Sequence, residues 1–341
     1  MKHPTHLYAI TLTILIIALS FSSTVEAAKP NANGQNFSII WITDTQYLTE
    51  SHPALNNNLC QWIVQNKDTY NVQMVVHTGD IVNQEANATQ WTSANQSMSI
   101  LLADQIPYCW DTGNHDYNAT CWIGNQYAAF NPETMEAKPY WVSDDFGGMN
   151  TAVHFNASGQ DWLIVNLAFQ ANDSALKWAN NILDANPQAH AIVATHAYLN
   201  RAGEYEQWAT NFKTKVLDTH ASVFLTLSGH YYPTSGLRTR VGERDELLFN
   251  QQDAYGQMGA ESARILIFNP AQGTIKVQTY SLYLNQFVED SDNSFTLQTS
   301  FRNGVVGSGF PTFFVAAVVV GFFCVAGLFV VAARRRVRRK W

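Results

Sequence analysis

Five short polar motifs, each placed directly after an apolar run, carry most of the chemically versatile side chains of this chain. In order they are Asp44-Thr45-Gln46, Gly79-Asp80, Gly113-Asn114-His115-Asp116, His196 and Gly229-His230-Tyr231-Tyr232. Carboxylates, an amide, imidazoles and a phenol are ligands for hard or borderline divalent metals. Two such metals that share one carboxylate can hold a phosphate and generate the hydroxide that displaces its ester group. One motif alone is also compatible with a polar turn, so the prediction depends on the ordered set.

The elements around the first three motifs predict that these motifs meet at one edge of a sheet. The apolar runs at 37–43, 72–77 and 106–110 are typical of strands buried on both faces. Helical spacing occupies 53–70 and 91–104 between them. This alternation predicts a parallel βαβαβ unit with right-handed crossovers. Polar residues at the carboxyl ends of parallel strands collect where open α/β sheets bind ligands.

The rest of the domain continues this pattern and then becomes β-rich. Predicted strands at 189–194 and 222–227 end just before His196 and Gly229. Residues 117–150 have irregular spacing and predict a loop over the site. His77 lies inside a strand, and we expect it to be a hydrogen-bonded core residue.

The order and spacing of the motifs resemble the calcineurin-like metallophosphoesterases, which carry D-x-H, G-D, G-N-H-D, H and G-H-x-H blocks. The resemblance covers about residues 37–285. It implies an α/β fold with four layers, α/β/β/α, and a dimetal site between two sheets. It also implies a metal-dependent hydrolase of phosphate esters.

The resemblance assigns a role to most of the motif residues. Asp80 matches the carboxylate that bridges both metals, and Asp44 matches a ligand of the first metal. The second metal's ligands match Asn114, His196 and His230. The resemblance implies that His115 assists the leaving oxygen and that Asp116 orients His115.

Two ligand positions depart from the family pattern. Gln46 and Tyr232 stand where the family usually has histidines, and both belong to the first metal. An amide and a phenol are poorer ligands than neutral imidazole for zinc-like ions. We therefore expect two divalent ions, Mn, Zn or Fe, that are bound unequally. Arg201 and Arg238 follow site motifs closely and could contact a phosphate oxygen, although a surface role fits each equally well.

Both ends of the chain have the composition of targeting segments. Residues 1–28 predict a signal peptide, and the uncharged run 311–333 is long enough to cross a bilayer as a helix. The basic tail 334–341 follows at once, which predicts a cytoplasmic C-terminus and an external N-terminal domain. Residues 291–309 are polar and predict a juxtamembrane stalk.

Further features support an external domain and limit its partners. Six Asn-X-Ser/Thr sequons begin at Asn36, Asn87, Asn95, Asn118, Asn156 and Asn172. The formal net charge is −7, although the tail alone contributes six positive charges. The remainder is therefore strongly acidic, which argues against nucleic-acid binding. Of four cysteines, Cys109 and Cys121 flank the central motif, and we expect them to be the pair if a disulfide forms.

Taken together, the sequence predicts a membrane-anchored, outward-facing metallophosphoesterase of the cell membrane. Whether its substrate is a monoester or a diester stays open, as does the oligomeric state. The alternative is a non-catalytic surface binding module that retains the fold and a single metal. Gln46 and Tyr232 favour that alternative, whereas His115 favours the enzyme because a pseudoenzyme has no chemical need for it.

Overall fold

Two sheets of seven strands each form the centre of the domain. A computed structural model describes residues 35–118, 122–231, 236–250, 252 and 262–301. Within these residues the strands, in chain order, are β1 (Phe37–Ile42), β2 (Val72–Thr78), β3 (Tyr108–Asp111), β4 (Trp141–Asp145), β5 (Asn150–Ala157), β6 (Gln160–Leu167), β7 (His190–Thr195), β8 (Val223–Ser228), β9 (Leu237–Val241), β10 (Arg244–Leu248), β11 (Ser262–Asn269), β12 (Thr274–Ser281), β13 (Gln286–Val288) and β14 (Ser294–Gln298). The α-helices are α1 (Gln46–Ser51), α2 (Pro53–Asn66), α3 (Ala88–Ala103), α4 (Pro132–Glu136), α5 (Asp173–Ala185) and α6 (Gln207–Phe212).

The first sheet aligns the ends of β1, β2 and β3. Its strand order is β13-β12-β11-β1-β2-β3, and β14 pairs with β12. β1 to β3 are parallel, as predicted, and all six residues of β1 are buried. The register pairs Ile42 with His77 and Thr78 with Asp111, so the three strands end at one level. The polar residues that follow them therefore lie along one edge.

The second sheet brings two further strand ends to that edge. Its order is β4-β5-β6-β7-β8-β10-β9, with β6, β7, β8 and β10 parallel. Thr195 pairs with both Leu167 and Ser228, so β6, β7 and β8 end together. The two edges are joined by backbone hydrogen bonds, such as the one from the Phe169 amide to the Thr112 carbonyl at 2.7 Å.

Three apolar cores define the order of the layers. Trp41 of β1 and Trp162 of β6 are buried in the core between the two sheets. Residues of α2 and α3 pack with β1 to β3 in a second core, and α5 and α6 pack with β6 and β7 in a third. The described residues therefore form the layers helix, sheet, sheet and helix, and the predicted α/β class is confirmed.

Several segments that look irregular or polar in the sequence are regular in the structure. The segment 117–150 contains two short 3-10 turns, α4 and β4. α6 is followed directly by a π-helical turn at Lys213–Leu217. β14 pairs with β12 and inserts Leu297 into the core between the sheets, so the domain continues past 285 and residues 294–298 of the predicted stalk belong to it. A five-residue strand with only alternate apolar residues gives a weak sequence signal.

The expected Cys109–Cys121 pair is also corrected. Cys109 is a free thiol, because its side chain points from β3 into the buried core between the sheets. Cys121 lies outside the described residues. So do the predicted signal peptide at 1–28, span at 311–333 and tail at 334–341. Among the helices of the described part of the chain, none is long and apolar enough to cross a membrane.

The assignment of β14 to the domain core predicts a large effect of one side chain. Leu297 is 6% exposed, whereas its neighbour Thr296 is exposed. Leu297→Ala should lower the free energy of unfolding by about 2–4 kcal/mol because it leaves a cavity. Thr296→Ala is the matched control and should change it by less than about 0.5 kcal/mol. Urea denaturation measures both, and an unchanged stability of Leu297→Ala would mean that 294–298 is not part of the core.

Candidate metal centre

Three predicted metal ligands converge at the shared edge of the two sheets. Asp80, His196 and His230 each offer a ligand atom within 4.8 Å of the others. The Nε2 atom of His196 is 3.2 Å from Asp80 Oδ2 and 3.1 Å from His230 Nδ1. The amide oxygen of Asn114 lies 3.2 Å from the same Nε2 atom. One carboxylate, one amide oxygen and two imidazoles are a suitable donor set for a single divalent ion.

The orientation of the His196 ring is fixed by a hydrogen bond on the side that faces away from the cluster. Its Nδ1 atom is 2.8 Å from the carbonyl oxygen of Thr78. Because a carbonyl only accepts hydrogen bonds, Nδ1 carries a proton, and Nε2 is the ring atom that faces the cluster, where an ion would bind in place of a second proton. This is the arrangement that metal-binding histidines usually have.

The charges of the cluster favour a cation at its centre. Burial lowers the pKa of His196, but the carboxylates of Asp80 and Asp44 outweigh burial and raise it to about 10. Burial and the positive charge of His196 lower the pKa of His230 to about 4. The protein therefore places one positive charge among these side chains and keeps the second imidazole neutral, as a ligand must be.

The backbone at the centre adopts left-handed conformations in three residues that are not glycine. They are Asp44 (φ 53°), Asp80 (φ 52°) and His230 (φ 66°). This conformation costs about 1–2 kcal/mol for an L-residue and is often found at functional sites. Close packing accompanies it, because a Cβ atom on Gly113 would collide with the Asp80 carboxylate and one on Gly229 would collide with that of Asp44. Only glycine fits at these two motif positions.

The first-metal side of the centre is occupied largely by hydrogen bonds within the protein. Asp44 accepts hydrogen bonds from the Thr43 hydroxyl and from the His230 backbone amide. Burial raises the pKa of Asp44 to about 7. Gln46 Nε2 donates to Asp80 Oδ2 at 3.1 Å, and Gln46 Oε1 is buried without a partner. That oxygen is the atom that Gln46 would offer to a cation. Tyr232 lies outside the described residues.

His115 lies beside the cluster and is held by an unexpected partner. Its backbone amide donates to Asp80 Oδ1 at 3.0 Å. Its Nδ1 atom is 3.0 Å from the carbonyl oxygen of Asn83, so Nδ1 carries a proton and Nε2 is left to exchange one. Asn83 is the third residue after Asp80, and only its position in the Gly79-Asp80 block could have pointed to it in the sequence.

The expectation that Asp116 orients the His115 ring is therefore wrong. Its carboxylate accepts hydrogen bonds from the backbone amides of Ile81, Val82 and Gly113 at 2.7–2.9 Å. These contacts tie the loop after β2 to the loop after β3. Asp116 thus shapes the backbone that carries Asp80 and His115, and the hydrogen bond to the His115 ring comes from Asn83 instead.

The remaining candidates lie outside the cluster or in its wall. His77 is buried and its Nε2 atom is 2.9 Å from the Thr45 hydroxyl, as predicted for a core histidine. Arg201 is exposed in the loop after His196. The guanidinium of Arg238 lies over the Phe295 ring, 4.4 Å from its centroid. The contact of Arg238 is therefore with an aromatic ring and not with a residue of the cluster.

Two aromatic residues pack beside the histidines, and the sequence did not predict a role for them in the site. The ring centroid of Phe169 is 6.0 Å from that of His196 and 5.4 Å from that of His230. The Tyr231 ring packs against His230 at 4.5 Å, and its hydroxyl donates to Glu206. Tyr231 stood in the last motif, but Phe169 follows β6 without any motif around it.

With this geometry established, comparison with known proteins defines the class of the chain. The calcineurin-like phosphoesterase family matches residues 37–232, which is more than half of the chain. The chain belongs to the calcineurin-like phosphoesterase family, whose members typically bind divalent metals.

Individual relatives are more distant. The uncharacterized protein YvnB of Bacillus subtilis (strain 168) is 30% identical over 304 residues, which cover 80% of this chain and 22% of that protein. This chain therefore spans less than a quarter of that relative's length. Among solved structures, similar ones include GAP50, the anchor in the inner membrane complex of Plasmodium (TM-score 0.48, 13% identity, 78% of this chain and 90% of that one). Another is TT1561 of Thermus thermophilus (TM-score 0.44, 12% identity, 74% and 98%).

The unequal donor sets predict unequal binding of two ions. The set Asp80, Asn114, His196 and His230 should retain one ion through dialysis, whereas the oxygen-rich set around Asp44 and Gln46 should lose its ion. Gln46→His, combined with Tyr232→His, should increase the retained metal from one to two ions per chain. Elemental analysis of the dialysed protein and a calorimetric manganese titration measure this, and two equally tight ions in the unmodified protein would contradict it.

Proposed function

We propose that this chain is a metal-dependent phosphoesterase that acts at the edge shared by its two sheets. The observation that carries the proposal is the position of His115, whose backbone amide is bonded to the same Asp80 that lies in the cluster of His196 and His230. A purely structural metal site has no need of a half-buried imidazole with a free Nε2 atom at this point.

The protein's own residues have distinct tasks in this reaction. Asp80, Asn114, His196 and His230 would hold a divalent ion, which would supply Lewis-acid polarisation of the phosphoryl group and an activated water. The Asn83 carbonyl keeps a proton on Nδ1 of His115, which leaves Nε2 as the ring atom that holds the transferable proton. Nε2 then donates this proton to the leaving alcohol oxygen. The carboxylate of Asp116 holds the loops that set the distance between His115 and Asp80.

A second candidate function has one observation in its favour. Gln46 replaces a family histidine, and its Nε2 atom donates a hydrogen bond to Asp80, an interaction that stabilises the cluster without a first metal. A surface module that keeps the fold and one metal for binding would tolerate this substitution. Such a module would lack catalysis and still keep His196 and His230 unchanged.

The catalytic reading predicts separate effects on metal content and turnover. His115→Ala should lower kcat by about 10²–10⁴-fold, as expected for the loss of a general acid, while metal content stays unchanged. Asp80→Asn should lower both metal content and activity because it removes a charged ligand. Hydrolysis of p-nitrophenyl phosphate and bis-p-nitrophenyl phosphate with added manganese, zinc or iron provides the assay.

Each result of this assay separates the two candidates. Unchanged turnover in His115→Ala would exclude the proposed role of that residue. If the unmodified protein binds metal but hydrolyses neither ester, the binding module is the better description.

We also propose that the domain faces outward from a cell membrane to which it is anchored. The proposal is supported by the sequence of 1–28, 311–333 and 334–341, which has the pattern of a signal peptide, a membrane span and a basic cytoplasmic stop. Asn36 and Asn156 are exposed sequon asparagines and are accessible to glycosylation. Asn172 caps the start of α5 with its side-chain oxygen, and Asn95 uses its own to accept a hydrogen bond from the Ala129 amide.

This topology predicts an asymmetric response to protease. Treatment of intact cells should release or digest the domain at 37–298 and leave the tail 334–341 protected. Antibodies against an epitope placed in the domain and against one at the C-terminus detect the two fragments. A domain that stays protected until the cells are permeabilised would contradict the proposed orientation.

A further inference from the structure

A cavity of about 230 Å³ opens at the same sheet edge as the metal cluster. Its walls include Tyr117, Phe146, Met149, Ala168 and Gln170. Asn150, at the start of β5, is 1% exposed and accepts a hydrogen bond from the Ala168 amide at 2.8 Å, which fixes two sides of the cavity relative to each other. The cavity is thus built from rigid parts of the fold.

The cavity shares a wall with the metal centre. Tyr117 is the second residue after His115, and its hydroxyl donates to the Phe169 carbonyl at 2.6 Å. The Phe169 ring is the one that contacts His196 and His230. Tyr117 thus connects the wall of the cavity to the segment that carries His115 and, through Phe169, to the two histidines of the cluster.

The lining has the chemistry of a site for an uncharged ring. Two aromatic rings (Tyr117 and Phe146), the Met149 thioether and three alanine methyl groups form most of it. None of the residues that line it carries a charge, so a charged group placed there would have no oppositely charged partner in the lining. Aromatic rings and a thioether pack favourably with another aromatic ring. A cavity of about 150 Å³ already holds benzene in another protein, so the volume is sufficient for one ring.

Backbone strain at the rim is a second, independent observation. Phe146 and Gln170 line the cavity and have left-handed φ values of 51° and 49°. Phe146 is nevertheless 48% exposed, and it stands in a turn whose next two residues, Gly147 and Gly148, also have positive φ. An exposed aromatic ring contributes little to folding, so burial does not explain why this backbone conformation is maintained.

We infer that this cavity receives an aromatic ring carried by the leaving alcohol of the substrate, and that Phe146 is the residue that confers this specificity. The inference depends on the proposed phosphoesterase function and extends it to a substrate class: phosphate esters of alcohols with an uncharged aromatic ring. Gln170, at the polar edge of the cavity, additionally allows a hydrogen bond to a ring heteroatom.

The test compares two esters whose alcohols have similar acidity, benzyl phosphate and methyl phosphate, so that the chemical step is matched. Each is assayed with the manganese-loaded full chain in two series. The first series contains the two monoesters, and the second contains their diesters with methanol, which are benzyl methyl phosphate and dimethyl phosphate. In whichever series is hydrolysed faster, kcat/KM for the benzyl ester should exceed kcat/KM for the methyl ester about tenfold or more, since burial of a ring stabilises the complex. Cyclohexylmethyl phosphate should fall below the benzyl ester if the aromatic lining is what is recognised.

Substitution then locates the effect. Phe146→Ala should lower the benzyl-to-methyl ratio about three- to tenfold, and Phe146→Tyr should restore most of it. The matched control is Tyr283→Ala, which removes another exposed aromatic ring (52% exposed) from the hairpin between β12 and β13 and should leave the ratio unchanged. A ratio near one, or a ratio that Phe146→Ala does not change, would overturn the inference while the phosphoesterase function stands.

A binding measurement separates the two proposals. Benzylphosphonate and methylphosphonate are not hydrolysed, and calorimetry gives their affinities for the manganese-loaded protein. If neither ester is hydrolysed but benzylphosphonate binds more tightly in a manner that Phe146→Ala weakens, the aromatic site stands and the catalytic function fails. Equal affinity for the two phosphonates would overturn the aromatic site whatever the activity.

Discussion

The centre of this protein depends on the burial of two carboxylates and two imidazoles at one point between two sheets. Removing an ionised carboxylate from water costs roughly several kcal/mol, even after relaxation. Asp44 and Asp80 are both almost completely buried, and the cost is partly offset by hydrogen bonds from backbone amides, the Thr43 hydroxyl and the Gln46 amide and by the charge on His196. A cation bound by Asp80, His196 and His230 would remove this cost. The high pKa of His196, about 10, shows how strongly the cluster attracts positive charge.

The rest of the fold maintains that concentration of polar groups. Six strands, three in each sheet, end at the shared edge because their registers are aligned within each sheet. Short loops then reverse so sharply that Asp44, Asp80 and His230 have left-handed backbones. Asp116 satisfies three backbone amides of these loops, and the Asn83 carbonyl fixes the ring of His115. Strained backbone and local hydrogen bonds thus help to hold the ligands in place. Burial of the three apolar cores supplies the free energy of folding that offsets the backbone strain.

The sequence predicts the strands that carry this site better than the hydrogen bonds within the site. β1 and β2 are long, continuous apolar runs, and a run of this kind ending in Asp or Gly-Asp indicates both a buried strand and a polar strand end. The partner of the His115 ring was not predictable, because a backbone carbonyl such as that of Asn83 leaves no trace in residue identity. β14 was missed because its alternation spans only five residues with two apolar side chains, and its place in the sheet comes only from pairing with β12. Phe169 and the neighbouring cavity arise from contacts between segments far apart in sequence, which periodicity does not report.

The central claim is that Asp80, Asn114, His196 and His230 form the tighter of two cation sites beside His115. A crystal of the full-length or released domain grown with a limiting amount of manganese tests it most directly, through the anomalous scattering of the ion. We expect one strong anomalous peak within coordination distance of Asp80 and both histidines, and a weaker or absent one beside Asp44 and Gln46. A strong peak at Asp44 without one at His196 and His230, or no peak between these residues at all, would contradict the assignment.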